Sequence, residues 1–152
     1  MISLIIHAIL GVLVVAFIMR SNPAIFRSTS PALSGLEGLF YVIGVASIPL
    51  CWYFNYRYVA EYGAASTNPF VGPGSWMQFI ELGYANPASS SASADYTIAN
   101  VLLLPLFTIV DGRRRGIRRP WLYFVASLFT SFVFSWAFYL ATVERQRRLG
   151  TV

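Results

Sequence analysis

The chain is poor in the side chains that most enzyme sites need. It contains no lysine, one cysteine (Cys51) and one histidine (His7). A single cysteine cannot form an intrachain disulfide, and a single histidine excludes a bis-histidine haem or a two-histidine zinc site within the chain. Without lysine, Schiff-base chemistry and the phosphate-loop lysine are excluded as well. Paired carboxylates, a nucleophile elbow and a glycine-rich phosphate loop do not occur either.

Charge is also scarce. Only 11% of the residues are charged, whereas 57% are hydrophobic and 16% aromatic. Soluble domains carry about 25% charged residues, so this composition predicts an all-α integral membrane protein. All eleven basic residues are arginine. They lie at the ends of apolar runs, which indicates contact with anionic lipid headgroups and not with nucleic acid.

Four apolar stretches predict four transmembrane helices in a small bundle, forming a single domain over residues 1–152. They cover about residues 2–19, 36–59, 96–110 and 121–143. Pro49 and Pro105 lie within the second and third stretches and predict kinks. The long loop 61–94 has no basic residue. Its segment 76–84 predicts a short helix on the membrane surface, with a loop folded over the bundle as the alternative.

An arginine-rich turn at residues 111–120 (DGRRRGIRRP) predicts the orientation. It holds Arg113, Arg114, Arg115, Arg118 and Arg119. Such turns mark the cytoplasmic, stromal or matrix side of a membrane protein. With four crossings, seven arginines lie inside and four outside, and both chain termini lie outside. Asp111 is predicted to form an ion pair with a neighbouring arginine. The expected location is a bacterial inner membrane, a thylakoid or an organelle membrane.

Three polar residues at the opposite membrane face, Asn55, Arg57 and Asp95, form the first candidate site. Arg57 ends the second stretch and Asp95 begins the third, so Arg57 is predicted to approach Asp95 or Glu61. The structural interpretation is an ion pair that closes the bundle. The functional interpretation is a substrate or proton site made from the same groups.

The fourth stretch carries two stripes at helical spacing. One stripe consists of small residues and lets another helix approach closely: Ser127, Ser131 and Ser135. The other is aromatic and either packs against lipid and partners or lines a pocket for a pigment, quinone or acyl chain: Phe129, Phe132, Trp136 and Tyr139.

His7 and Asn100 are polar residues within apolar stretches. His7 is either a hydrogen-bonded packing residue or an axial ligand to a haem or chlorophyll that a larger assembly supplies. Asn100 is predicted to hydrogen-bond a neighbouring helix. No metal and no cofactor are predicted for the chain itself. Within a larger complex it could contact lipid, chlorophyll or carotenoid.

Three segments carry a resemblance to a known family: YVIGVASIPLCWYFNYRYV, SASADYTIAN and SFVFSWAFYLATVERQRRL. They resemble the bacterial family called domain of unknown function 2834, over about residues 40–149, with the first stretch as an N-terminal addition. Its members are small uncharacterised membrane proteins of about three spans, so the resemblance implies architecture and no activity. It marks Asn55, Asp95, Glu144 and Arg145 as positions of interest.

Three functional hypotheses follow. The first is a non-enzymatic accessory or structural subunit of a larger membrane complex, of the respiratory or photosynthetic kind, with lipids and other membrane subunits as partners. The second is a transporter or channel protomer for a small solute or proton, using Arg57, Asp95 and Asn55. The third is a membrane enzyme acting on a lipid or quinone, which the missing catalytic constellation disfavours.

Overall fold

A computed structural model describes residues 2–27, 32–66 and 68–150, and within these ranges all regular structure is helical, as predicted. A 3₁₀ turn, Gly63–Ala65, follows the third helix, and a π-helix, Ile98–Leu103, joins the fifth helix to the sixth. The α-helices are α1 (Ile2–Ser21), α2 (Pro23–Phe26), α3 (Gly35–Tyr62), α4 (Trp76–Gly83), α5 (Pro87–Thr97), α6 (Leu104–Arg114), α7 (Leu122–Phe129) and α8 (Phe132–Leu149).

Three segments are long and apolar enough to cross a membrane. They are Ser3–Ser21, Gly35–Ala65 and Pro87–Arg114. Large apolar side chains stand exposed along them; Val12, Val42 and Leu102 are 70%, 67% and 60% exposed. Such surfaces suit a hydrocarbon environment, and a helix of about 20 residues matches its roughly 30 Å thickness. The first three predicted stretches are therefore confirmed as membrane-compatible helices.

The third of these segments begins earlier than predicted. Residues 87–94, predicted to belong to the loop, form most of α5. Asn86 caps this helix, since its side chain accepts a hydrogen bond from the Ser89 amide at 3.0 Å while the Ser89 side chain bonds back to Asn86. This reciprocal capping box satisfies amides that would otherwise lack partners. The predicted short helix before it also exists, as α4, which begins after a capping Ser75.

The prediction of a fourth crossing helix is wrong. The stretch 121–143 instead contains two helices, α7 and α8, that fold back on each other. The Tyr123 hydroxyl donates to Thr142 Oγ1 at 2.9 Å, and the rings of Tyr123 and Tyr139 meet edge to face with centroids 5.0 Å apart. Residues nineteen positions apart in the chain would lie about 28 Å apart on a straight helix. The two helices therefore form an antiparallel hairpin.

The hairpin turns at Thr130 and Ser131, which provide their own hydrogen bonds. Thr130 Oγ1 donates to the Ala126 carbonyl at 2.7 Å and so closes the end of α7. Ser131 has an extended backbone, and its hydroxyl accepts from the Phe134 amide at 2.9 Å, which caps α8. The helix is thus interrupted without leaving the local polar groups bare.

Helices α1 and α3 hold the tip of the hairpin. Trp52 Nε1 donates to the Thr130 carbonyl at 3.1 Å, and the hydroxyls of Ser47 and Ser131 lie 2.6 Å apart. On the other side, a Cβ placed on Gly11 would lie 3.0 Å from Thr130 Cγ2, so α1 approaches closely. Irregular backbone at membrane depth is tolerated only where protein covers it, and these contacts provide that cover.

The hairpin reaches only about half-way along the spans. Its tip meets Gly11 and Ser47, which lie near the middle of α1 and α3. Helix α7 has eight residues and is about 12 Å long, less than half of the roughly 30 Å hydrocarbon thickness. Around the hairpin lies a buried core that includes Ile18, Leu122 and Phe138.

The hairpin also changes where the last arginines lie. Gln146 Nε2 donates to the Arg115 carbonyl at 2.8 Å, and Arg145 Nε donates to the Ile25 carbonyl at 2.8 Å. The end of α8 therefore lies beside the arginine turn and the end of α1. The prediction that the turn and the C-terminal arginines occupy opposite faces is wrong, because α8 returns instead of crossing. Residues 1 and 151–152 lie outside the described residues.

Candidate functional site

One end of the bundle, called here the arginine face, collects nearly all of the positive charge. It comprises the ends of α1, α6 and α8, the start of α3 and the turn between α6 and α7. It holds ten arginines and three carboxylates, which give a formal charge of +7. The opposite end holds Arg57 and three carboxylates, which give −2. The two charges add up to the net +5 of the chain. The arginines of this face are Arg20, Arg27, Arg113, Arg114, Arg115, Arg118, Arg119, Arg145, Arg147 and Arg148.

A buried carboxylate, Glu37, ties the hairpin to α3. Glu37 lies in the first turn of α3 and has no exposed surface. Arg145 Nη1 contacts its Oε1 at 2.8 Å, and Arg148 Nη1 contacts its Oε2 at 2.5 Å. Arg145 also donates to the carbonyls of Ile25 and Arg27. One guanidinium thus joins α8 and α3 to α2 and to the residue that follows α2. Sequence patterns did not predict this cluster.

A second carboxylate, Glu144, closes the edge of the same cluster. Arg147 donates twice to Glu144, at 2.9 Å each, and the Ser34 hydroxyl donates to it at 3.2 Å. These hydrogen bonds, that from Arg147 foremost, hold the pKa of the Glu144 carboxyl below its usual range. Ser34 also caps α3, so the start of α3 and the end of α8 are fastened at two points.

The third carboxylate of the face, Asp111, forms the predicted ion pair. Arg115 Nε contacts Asp111 Oδ2 at 2.6 Å, and the Tyr139 hydroxyl donates to the same oxygen at 2.7 Å. The hydrogen bond that Arg115 donates to Asp111 raises the pKa of the Arg115 guanidinium. Tyr139, predicted as part of an aromatic stripe, thereby connects α8 with the end of α6.

Asn22 fixes the arginine turn against the end of α1. The side chain is buried, and its Oδ1 accepts from the Arg118 amide at 2.7 Å. Its Nδ2 donates to the carbonyls of Arg118, at 3.2 Å, and Ile18, at 2.9 Å. Arg119, which follows Arg118, has a φ of +56°. This value lies in the left-handed region, which residues other than glycine seldom adopt. Its guanidinium lies 4.6 Å above the centre of the Phe17 ring.

The serine stripe lies inside this chain. Ser127, Ser131 and Ser135 are all buried. The Ser127 hydroxyl donates to Asn100 Oδ1 at 2.8 Å, and Asn100 Nδ2 donates to the Tyr96 hydroxyl at 3.1 Å. The prediction that Asn100 bonds a neighbouring helix is confirmed.

Asn100 lies in the π-helix, and a proline explains the irregularity. Pro105 has no N–H for the carbonyl four residues earlier, and the Leu104 amide bonds five residues back, to the Ala99 carbonyl. Such π segments are frequent at functional sites.

The predicted site at the opposite end comprises residues of two helices, Asn55 and Arg57 on α3 and Asp95 on α5. Arg57 is exposed and donates to the Tyr53 hydroxyl at 3.3 Å. Asp95 is exposed on α5, and Asn55 is half-buried on α3. Of the two predicted partners of Arg57, Glu61 interacts with it electrostatically, one turn along α3. The ion pairs found in residues 2–27, 32–66 and 68–150 do not include Arg57 or Asp95.

The predicted pigment or lipid contacts are engaged within the chain. His7 is exposed, with Nδ1 2.7 Å from the Ser3 carbonyl and its ring 5.8 Å from that of Phe129. Phe132 packs against Tyr96, and Trp136 against Phe107. Over the part of the chain that the structure describes, no three His, Cys, Asp or Glu residues gather as metal ligands.

Comparison with known proteins identifies the family. No curated protein and no solved structure matches the chain. The family model described as "Protein of unknown function DUF2834" matches residues 39–145, more than half of the chain. The matched region contains the π-helix, α7 and α8 as far as Arg145, whereas α1 precedes it. The chain therefore belongs to the family described as protein of unknown function DUF2834.

Proposed function

We propose that the protein is a non-enzymatic integral membrane protein that packs as an accessory or structural subunit against a larger membrane complex, for example a respiratory or photosynthetic one. The observation that supports this is the exposed side of α5. Ala88, Ser91, Ala92 and Asp95 follow one side of this helix at helical spacing, and all four are exposed. In a bilayer, small residues favour close approach of another helix, and a carboxylate beside lipid is costly. Both properties suit a partner helix better than lipid.

Purification in mild detergent followed by mass spectrometry tests this role. We expect other membrane subunits in stoichiometric amounts with the wild-type chain. Ala92→Leu should remove most of them, because the larger side chain blocks the exposed side of α5. Ala94→Leu makes the same change on another side of the same helix and should leave them bound. A homo-oligomer without any partner would overturn the proposal.

The charge distribution supports an orientation with the arginine face toward the cytoplasm, or the stroma or matrix of an organelle. Short loops on that side of a membrane carry an excess of arginine and lysine, and this face holds ten of the eleven arginines. In this orientation α1 begins outside, the segment between α3 and α5 lies outside, and α8 ends inside.

The interrupted helices favour a second candidate, a transporter or channel protomer for a proton or small solute. The hairpin tip and the π-helix both break regular helix within the bundle, and discontinuous helices of this kind occur at transport sites. Flux through vesicles that contain only this protein is the test. Proton or solute flux that Asp95→Asn abolishes would support transport through Asn55, Arg57 and Asp95; no flux from the wild-type chain would dismiss it.

A further inference from the structure

A shallow apolar groove on the exposed side of α1 leads to the arginine face. Its volume is about 460 Å³. Its lining is hydrocarbon except at the end, where Arg20 lies: Leu10, Leu13, Val14, Ala16, Phe17 and Arg20. From Leu10 to Arg20 the helix rises about 15 Å, which is the length of a considerable part of an acyl chain.

A second cation reaches the same end of the groove. Arg119 extends from the arginine turn over the ring of Phe17, 4.6 Å from its centre, and Arg20 lies three residues after Phe17 on the same helix. Both arginines are exposed. The position of Arg119 is fixed, because Asn22 holds the amide and the carbonyl of the preceding residue. The left-handed backbone of Arg119 is a strained arrangement, of the kind that marks binding sites.

These two arginines are not neutralised by the carboxylates of their own face. Glu37 is shared by Arg145 and Arg148, Asp111 pairs with Arg115, and Glu144 pairs with Arg147. In the described residues, Arg20 and Arg119 take part in none of these ion pairs. Two guanidinium groups at the end of an apolar groove are therefore complementary to an anion that carries a hydrocarbon chain.

We propose that this groove binds one anionic phospholipid, with its phosphate between Arg20 and Arg119 and an acyl chain along Leu10, Leu13 and Phe17. Guanidinium groups bind phosphate oxygens through charge-assisted hydrogen bonds, and the groove contributes apolar contact that a free phosphate cannot use. The lipid site is independent of the subunit role proposed above, since it lies on α1 and not on α5.

The test compares headgroups on the delipidated full-length protein in detergent. Thermal unfolding and native mass spectrometry are followed with phosphatidylglycerol, phosphatidylcholine or inorganic phosphate added. We expect phosphatidylglycerol to raise the unfolding temperature and to remain bound at one molecule per chain, while the other two have little effect. An equal effect of phosphatidylcholine would overturn the headgroup assignment. If inorganic phosphate displaced phosphatidylglycerol completely, the site would bind a free anion and the lipid assignment would be wrong.

Two double variants separate this site from the general charge of the face. Arg20→Gln with Arg119→Asn removes both cations of the groove, and asparagine tolerates the left-handed backbone at position 119. Arg113→Gln with Arg114→Gln removes two exposed arginines elsewhere on the same face. The first pair should lose the bound lipid and the stabilisation, and the second should keep both. Equal losses would mean diffuse attraction and overturn the site.

Ala16→Trp tests the groove without changing any charge. The indole would occupy the groove that Ala16 lines, so the number of phosphatidylglycerol molecules retained should fall while Arg20 and Arg119 remain. Unfolding in phosphatidylcholine shows whether each variant is folded. Unchanged retention by a folded Ala16→Trp protein would overturn the acyl-chain position.

Discussion

Among the single residues, Glu37 has the largest structural role. Its carboxylate is fully buried between two arginines of α8. Two charges removed from water are tolerated only when they are paired, and removal of one partner leaves the other uncompensated. The interaction with Arg145 joins residues 108 positions apart. Local sequence patterns therefore could not predict this interaction.

Glu37→Gln should destabilise the protein by about 3–5 kcal/mol, the usual cost of breaking a buried ion pair. The amide cannot balance the charges of Arg145 and Arg148. Thermal unfolding in neutral-lipid nanodiscs measures the change. Glu81→Gln is the control, since Glu81 is exposed at the opposite end. Equal stability of the two variants would show that the Glu37 cluster contributes nothing.

The candidate site was only partly predictable at this scale. The five arginines of the turn stand out in the sequence by density alone, and the family resemblance marked Glu144 and Arg145. Asn22 gives no such signal, because an asparagine after a helix is an ordinary loop residue. Its role depends on contacts with Arg118, 96 positions away.

Among the helices, hydropathy predicted the long apolar ones but not the α7–α8 hairpin. The sequence predicted α1, α3 and most of α6 because each is an apolar run of the right length. The hydropathy prediction failed for 121–143, because a largely apolar stretch of 23 residues fits one span and serine or threonine often occurs in membrane helices. The break at Thr130 depends on Trp52 and Ser47 of α3. Hydropathy is averaged over neighbouring residues in the chain, and these two residues are too distant in sequence to contribute.

Gly44 tests how closely α3 and α8 pack. A Cβ on Gly44 would lie 3.2 Å from Ala137 Cβ, whereas a Cβ on Gly38, in the same helix, would have nothing within 4 Å. Gly44→Leu should therefore cost about 1–3 kcal/mol through overpacking. Gly38→Leu should be neutral or stabilising, because glycine weakens helices by roughly 0.5–1 kcal/mol. Unfolding of both variants in the same detergent measures the difference, and a harmless Gly44→Leu would contradict the packing.

For the whole molecule, the three long apolar helices and the hairpin separate charge between the two ends. The arginine face carries +7 and the opposite end −2. The four-span prediction divided the arginines seven to four, and that weak asymmetry came from placing the end of α8 on the wrong side. Returning α8 to the arginine turn leaves Arg57 as the one arginine at the other end.

Cysteine labelling distinguishes the hairpin from a fourth span. In the proposed orientation and a Cys51→Ser background, Ser66→Cys should react with a membrane-impermeant thiol reagent from outside intact cells. Arg113→Cys and Arg147→Cys should react only after the membrane is permeabilised, because both lie on the arginine face. If Arg147→Cys reacted from outside together with Ser66→Cys, α8 would cross the bilayer and the hairpin would be wrong.

The half-depth hairpin sets an order of assembly. Helices α7 and α8 follow α1, α3 and α6 in the chain, so they leave the ribosome after the helices that receive them. Before those helices associate, the Thr130 carbonyl has no Trp52 to bond, and an unpaired carbonyl in hydrocarbon is strongly disfavoured. We therefore expect the hairpin to enter the bundle last, so that it completes a protein whose earlier helices have already found one another.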